Sequence, residues 1–146
     1  MIRLEPLTQA LLEQALANVS EPFGVVSPDF ISAALRDPTI ARALLDGDVV
    51  LCAGGIVPHW HGRAETWFIA TKHARPRHVV AALRACRAYL DVIQCVPEYR
   101  RVEAWVRSGQ SWSRFPRTLG MEPEGYAEAW GPDGEDYRLW ARIGKR

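Results

Sequence analysis

Residues 77–94 limit what this chain can fold into more than any other stretch. Val79, Leu83, Cys86, Leu90 and Ile93 recur at spacings of 4, 3, 4 and 3. That rhythm places five apolar side chains on one stripe of a helix, with Arg84 and Arg87 on its solvated side. Pro76 stands at its start and Pro97 follows it. The flanking segments, 64–71 and 101–107, alternate in the manner of strands. A strand, a long amphipathic helix and a second strand make a βαβ crossover over residues 64–107, which sets two strands parallel in one sheet.

The other elements arrange themselves around this unit. Ile2, Arg3 and Leu4 open a short strand closed by Pro6. Thr8 is a suitable N-cap for a helix carrying Leu11, Leu12, Ala15, Leu16 and Val19 at helical spacing. After a break at 21–24, Ser27 and Pro28 give a cap and a first-turn proline for a second helix, with Phe30, Ile31, Ala34 and Leu35 on one face. Residues 38–46 read two ways, as a third helix from Asp37-Pro38 or as a strand over 40–45. The hairpin signal Asp46-Gly47 favours the strand. Residues 49–57 form a near-continuous apolar run, a central strand whose Gly54-Gly55 pair marks a bulge or a close backbone approach. Residues 58–62 read as a turn. In the strand 64–71, Glu65, Trp67 and Ile69 share one face and Thr66, Phe68 and Ala70 the other. Residues 108–119 read as a short helix broken at Pro116 and ended by Gly120, and 121–130 and 135–143 as strands joined at Pro132-Asp133-Gly134. The order β-α-α-β-β-β-α-β-α-β-β describes one α/β domain over 1–146, a mixed central sheet with helices on both faces.

Composition narrows the function classes. The 146 residues suit one domain, and 18 basic against 17 acidic residues leave a net charge of +1, so no global field favours nucleic acid or an anionic membrane. The N-terminal residues do not read as a signal peptide, and no apolar run approaches the ~18 residues of a transmembrane helix. Cys52, Cys86 and Cys95 include no C-x-x-C pair; free thiols point to a reducing, cytoplasmic setting. Cys86 belongs to the apolar stripe, and neither it nor Cys95 has a local base that would make it a nucleophile. The His59-Trp60-His61 phrase has metal-like spacing, but in a turn without an acidic or Cys partner it reads as a surface loop rather than a metal site. Six tryptophans stand at 60, 67, 105, 112, 130 and 140, four of them in expected strands. They read first as aromatics packed on a sheet, and second as a cleft or contact surface.

The element order and several phrases resemble the GCN5-related N-acetyltransferases, the GNAT superfamily. The phrases are Gly54-Gly55 at the end of the third strand, Glu65-Thr66-Trp67-Phe68-Ile69-Ala70 in the fourth, and Leu119-Gly120-Met121-Glu122-Pro123-Glu124-Gly125, which looks like the family's LGF-x-x-E-G. The resemblance covers nearly the whole chain. It implies an acyl-coenzyme A-dependent N-acyltransferase using acetyl-coenzyme A. The pantetheine arm would lie in an opening between the fourth and fifth strands, hydrogen-bonded to the fourth-strand backbone in the manner of an added strand. The pyrophosphate would sit at the start of the next helix. Phe68, Ile69, Ala70 and Thr71 are then the expected strand contacts. Many GNAT proteins are homodimers through their C-terminal strands. Tyr126, Trp130, Tyr137, Leu139 and Trp140 lie there, which implies a homodimer or docking into a larger assembly.

The chain departs from the family's pattern at two points. The Q/R-x-x-G-x-G/A loop is replaced by Thr71-Lys72-His73-Ala74-Arg75-Pro76-Arg77-His78, without glycine and rich in cations. Lys72, Arg75 and Arg77 would have to hold the pyrophosphate in place of backbone amides. The family's Tyr acid, four residues before the Gly of LGF, falls on Pro116 here, and its Asn falls near Ser108-Gly109-Gln110. These losses are similar to those of a group of tailed-phage proteins that keep the fold without its motif. Residues 67–71 and 99–106 resemble theirs, and some members are virion-assembly or internal virion components. The alternative expectation is therefore a non-catalytic structural or interaction protein of GNAT fold, located in a virion if phage-encoded.

Two carboxylates are candidate bases. Glu65 lies where many relatives carry a base acting through a water; otherwise it is a solvated strand-start carboxylate paired with Arg63. Glu103, on the adjacent strand, competes with it.

Overall fold

The computed structural model describes residues 1–20, 28–37, 39–110 and 113–145. The break at 21–24, the Ser27 cap, Pro38 and Trp112 lie outside the described residues. The observed elements are β1 (Ile2–Pro6), α1 (Gln9–Ala17), α2 (Pro28–Leu35), β2 (Ala41–Asp46), β3 (Val49–Trp60), β4 (Arg63–Ala70), α3 (Pro76–Ile93), a 3₁₀ turn (Pro97–Tyr99), β5 (Arg101–Arg107), α4 (Phe115–Thr118), β6 (Glu122–Ala127) and β7 (Tyr137–Ile143). Hydrogen bonding orders the seven strands β1-β2-β3-β4-β5-β7-β6. The expected crossover is present: β4 and β5 pair in parallel, with Arg63, Ala64 and Glu65 opposite Arg101, Val102 and Glu103. The β1–β2, β2–β3, β5–β7 and β6–β7 ladders are antiparallel. No helix among the described residues is long and apolar enough to cross a membrane.

The chain forms two compact units. The first comprises Met1–Val57 and Trp67–Ala82. Its core gathers Leu12 and Ala15 from α1, Ala34 from α2, Ala41, Ala43 and Leu45 from β2, Val50 and Ala53 from β3, and Trp67 and Ile69 from β4. Phe30 of α2 meets the Trp67 ring edge-on, centroids 5.5 Å apart. Thr8 caps α1 as expected, its hydroxyl accepting from the Leu11 N–H. The helix ends at Ala17, so Val19 leaves the helical stripe and bridges antiparallel to Thr71. Residues 41–46 are a strand, the favoured of the two readings. Its turn is Gly47-Asp48, one residue later than expected, with Gly47 at φ 59°. The Gly54-Gly55 pair is a close approach: a Cβ on Gly55 would stand 2.8 Å from the Ile40 carbonyl oxygen.

The turn expected at 58–62 is too long, because β3 runs on to Trp60 and only His61-Gly62 turn. The last β2 partner of β3 is Gly55, opposite Ala41. Pro58 therefore lies past that ladder, where its missing N–H removes no bond to β2.

The second unit comprises Pro58–Thr66 and Leu83–Arg146. Leu83 and Leu90 of α3, Val102, Ala104 and Val106 of β5, and Leu119, Met121, Tyr137 and Trp140 are buried in it. Gln94, just past α3, directs its amide nitrogen to the carbonyls of Tyr99, Arg100 and Arg142 at 3.1, 3.2 and 3.0 Å, tying the helix end to the start of β5 and to β7. Two expectations are corrected here. The helix over 108–119 shrinks to Phe115–Thr118, because Gly109 turns at φ 84° and Pro116 is accepted only in a first turn. The strand over 121–130 stops at Ala127: Asp136 accepts from the Ala129 N–H (2.8 Å) and from the Tyr126 hydroxyl, with Ala129 at φ 51°. Trp130 thus lies in the connection and stacks on Trp105, centroids 4.9 Å apart, while Trp60 is in a strand instead.

Candidate functional site

In the first unit, the end of β4 and the loop into α3 hold the residues expected to bind a cofactor. Ile69, Ala70 and Thr71 are buried, whereas Lys72, Arg75 and Arg77 are exposed and enter no ion pair among the described residues. The backbone here is already engaged by the chain itself. The Thr71 N–H donates to the Leu51 carbonyl (3.0 Å), the Lys72 N–H to Asn18 (2.8 Å), and the Ala70 carbonyl accepts from Ser20 (3.0 Å). Residues 18–20 thus meet the end of β4 through one antiparallel bridge, Val19 to Thr71, and take up backbone groups at the C-terminal end of the 68–71 stretch expected to meet a pantetheine arm. The Thr71 hydroxyl reaches the Val50 carbonyl at 2.8 Å and receives the His73 N–H at 3.3 Å.

The start of α3 is closed in the same way. The Ala74 N–H donates to the Thr71 carbonyl (3.0 Å), and the His78 and Val79 N–H groups both donate to the Arg75 carbonyl (2.9 and 3.2 Å). The Arg75 N–H donates to His78 Nδ1 at 3.1 Å. With Pro76 first in the helix, His78 is the third residue, and its ring does what a Glu or Gln does in a capping box. Nδ1 accepts from that N–H, and Nε2 lies 3.4 Å from Arg77 Nε. The backbone N–H groups of Lys72, His73, Ala74, Arg75, His78 and Val79 are therefore already satisfied internally. What this loop offers an anion is side-chain charge. The sequence named those cations; it did not reveal His78 as the cap, although Pro76 at the first helical position places His78 at the acceptor position of a capping box.

In the second unit, the β3–β4 hairpin and β5 bring the two candidate carboxylates into different settings. Glu103 is 3 % exposed, and both its oxygens are taken: Oε1 by Arg63 Nη2 and Oε2 by Arg101 Nε at 2.7 Å. Burial works to raise its pKa, but the hydrogen bonds and charges of Arg63 and Arg101 together outweigh burial and hold the carboxyl below the usual range. Arg101 continues to Glu124 with a two-pronged contact at 3.2 and 2.9 Å, and Arg63 lies over the Trp60 ring at 4.3 Å. Trp60, Arg63, Glu103, Arg101 and Glu124 form one connected chain of charge.

Glu65 is not paired with Arg63, whose guanidinium is drawn to the buried Glu103. It meets His59 instead, Oε2 to Nε2 at 3.0 Å, with both side chains about one-third exposed, 35 % and 32 %. An ionised carboxylate only accepts, so the imidazole donates from Nε2. The histidine phrase therefore does have an acidic partner, across the hairpin. Among the described residues, however, no three His, Cys, Asp or Glu side chains group as metal ligands would. Glu65 is thus an accessible, oriented carboxylate and Glu103 a buried, saturated one. His59 was missed as its partner because a hairpin through His61-Gly62 was hidden by the longer turn expected there.

No protein-family model matches the chain, and no curated protein matches its sequence. Its fold is matched closely by solved acetyltransferases. One of the GNAT family from Streptococcus pneumoniae is 9 % identical, with 99 % of this chain and 100 % of that chain covered, at a TM-score of 0.76. Ard1 from Thermoplasma volcanium is 14 % identical, with 99 % of each chain covered and the same TM-score, 0.76. The yncA protein of Salmonella typhimurium, solved with its cofactor acetyl-CoA, is 10 % identical over 99 % of this chain and 95 % of that one, at 0.71. At such identities the likeness is one of fold: a mixed α/β architecture of GNAT type with a seven-stranded sheet.

Proposed function

We propose that this protein is an acyl-coenzyme A-dependent N-acyltransferase whose phosphate contacts come from side chains. The observation that carries the reading is a fold shared, over almost the whole chain, with acetyltransferases, one of them solved with acetyl-CoA. Fold alone does not select a reaction, so the residues must supply the rest. Lys72, Arg75 and Arg77, exposed and without carboxylate partners among the described residues, suit the phosphates of coenzyme A; guanidinium groups bind such oxygens two at a time. Phe68 and Ile69, ahead of the stretch covered by residues 18–20, are the β4 positions for strand-like contact. When bound, the acyl-coenzyme A supplies an activated thioester carbonyl. Glu65, partly exposed and hydrogen-bonded to His59, has the chemistry of a general base for an amine, acting directly or through one water. Glu103 holds Arg63 and Arg101 rather than a substrate proton.

Isothermal titration with acetyl-coenzyme A tests this. The reading expects micromolar binding, weakened by about 10- to 150-fold in Arg75→Ala/Arg77→Ala at low salt and less so at high salt. Unchanged binding in the double variant removes the loop's role.

A second reading, a non-catalytic interaction protein of the same fold such as a virion component, is favoured by one observation: residues 18–20 and His78 use the backbone groups a cofactor would need. It expects no heat with acetyl-coenzyme A. Under either reading we propose self-association through the C-terminal strands and their connection, where Tyr126 of β6 and Trp130 of the β6–β7 connection are each 56 % exposed. A concentration-independent monomer mass in light scattering argues against it.

A further inference from the structure

We propose that the second unit carries an oxyanion-binding cavity, separate from the loop 72–78, that takes a phosphate-bearing small molecule. The cavity has a volume of about 370 Å³ and lies among the end of β5, the residues before and in α4, and the start of β7. A space of that size suits a small ligand. Val106, Ser113, Arg114, Arg117, Arg138 and Trp140 are among its walls. The β5–β7 register sets Val106 opposite Arg138 and Ala104 opposite Trp140, so Arg138 and Trp140 share the face with Val106. Arg114 and Arg117, three apart, approach from the α4 side.

Among the described residues, every charged side chain lining the cavity is a cation and none is a carboxylate. Arg114, Arg117 and Arg138 form no ion pair among the described residues. Asp136, two residues before Arg138, is engaged by the Tyr126 hydroxyl and the Ala129 N–H. Arg117 is held against the Trp140 ring, 5.7 Å from its centroid. The second observation is independent of charge. Trp140 is 3 % exposed, and its indole N–H is buried with no acceptor among the described residues. An unmatched buried donor is costly, and like charges held together repel. A cavity lined by four arginines, Arg107, Arg114, Arg117 and Arg138, and by an orphaned N–H lacks, among the described residues, an acceptor carrying negative charge. A phosphate group supplies several oxygens for both, with the planar guanidinium groups binding in a two-pronged way.

The probe is inorganic pyrophosphate, titrated into the full chain and followed by calorimetry and by the Trp140 indole N–H resonance, identified by its loss in Trp140→Phe. Saturable binding is expected, with the Trp140 signal shifting. Arg114→Gln/Arg138→Gln should weaken it by at least about 10-fold while keeping the parent's circular dichroism, since both positions are exposed. Arg75→Ala/Arg77→Ala should leave this signal unchanged. No binding by the parent at ~10 mM pyrophosphate overturns the proposal. So does binding that follows Arg75 and Arg77 instead of Arg114 and Arg138. Competition separates the sources of phosphate. If coenzyme A displaces pyrophosphate from the cavity, the phosphate is the coenzyme's; if it does not, a different phosphorylated molecule binds here. The first unit's proposed role fails or stands on its own titration with acetyl-coenzyme A.

Discussion

Replacing Glu103 by Gln should destabilise the protein by about 2–3 kcal/mol. The carboxylate is 3 % exposed and accepts from Arg63 and from Arg101, the latter at 2.7 Å. Each charge-assisted hydrogen bond is worth about 1.5–3 kcal/mol. The sum must be discounted, because the Arg63 and Arg101 side chains are 24 % and 27 % exposed and regain water, and Arg101 keeps Glu124. For a chain of this size, a loss of 2–3 kcal/mol lowers Tm by roughly 5–10 °C. The pH dependence has a definite sign. Glu103 titrates below its ordinary value of 4.5 when folded, so the unfolded chain binds more protons in that window. Its contribution is complete above the ordinary carboxylate range and is lost as pH falls through the depressed folded value. Thermal melts by circular dichroism should therefore show the full gap between parent and variant at pH 7 and a shrinking gap in acid. A variant melting within about 1 °C of the parent at pH 7 refutes the reasoning, as does a gap that stays constant into strong acid.

Under the proposed function, Glu65→Gln should behave in the opposite way: acyl transfer falls by about 10²- to 10⁴-fold, while Tm moves by less than about 1 °C, because both partners of the His59 contact are partly solvated. Gly55→Ala forces a methyl against the Ile40 carbonyl and should cost about 1–3 kcal/mol in a urea titration. Burial pushes the Cys86 thiol up to about 11 and Cys52 is buried, so iodoacetamide at pH 8 should label Cys95 quickly and the other two only on unfolding, as mass spectrometry would count.

The sequence made the crossover legible because two independent periodicities, 3.6 in α3 and 2 in β4 and β5, agree over 40 or so residues. The boundaries that were misjudged depended on partners. Pro58 looked like a strand end, but whether a proline breaks a strand depends on where the neighbouring strand stops. Ala129 and Trp130 looked like strand residues, but Asp136 reaches across the β6–β7 connection to fix their backbone. At the site, the types of residue were visible and their pairing was not. One of the two readings of Glu65 pairs it with Arg63, two positions away; the guanidinium instead spans 40 residues to Glu103, because a buried carboxylate needs a cation more than an exposed one does. His78 was read as one more basic loop residue, and only the chain's path into α3 turned its ring into a cap.

The closing of the 71–78 segment upon itself fixes when its order is established. Where a glycine-rich loop waits for phosphate to complete its hydrogen bonds, the ligand contributes part of the loop's order and part of its own affinity is spent on it. Here residues 18–20, the Thr71 hydroxyl and the His78 ring complete those bonds during folding. The amides of Lys72, Ala74 and Arg75 should then exchange slowly with deuterium in the ligand-free protein, and no more slowly when an anion arrives. Substitutions that would cripple a ligand-organised loop are in this chain a matter of fold stability. The segment is thus free to change its surface charges without losing its shape.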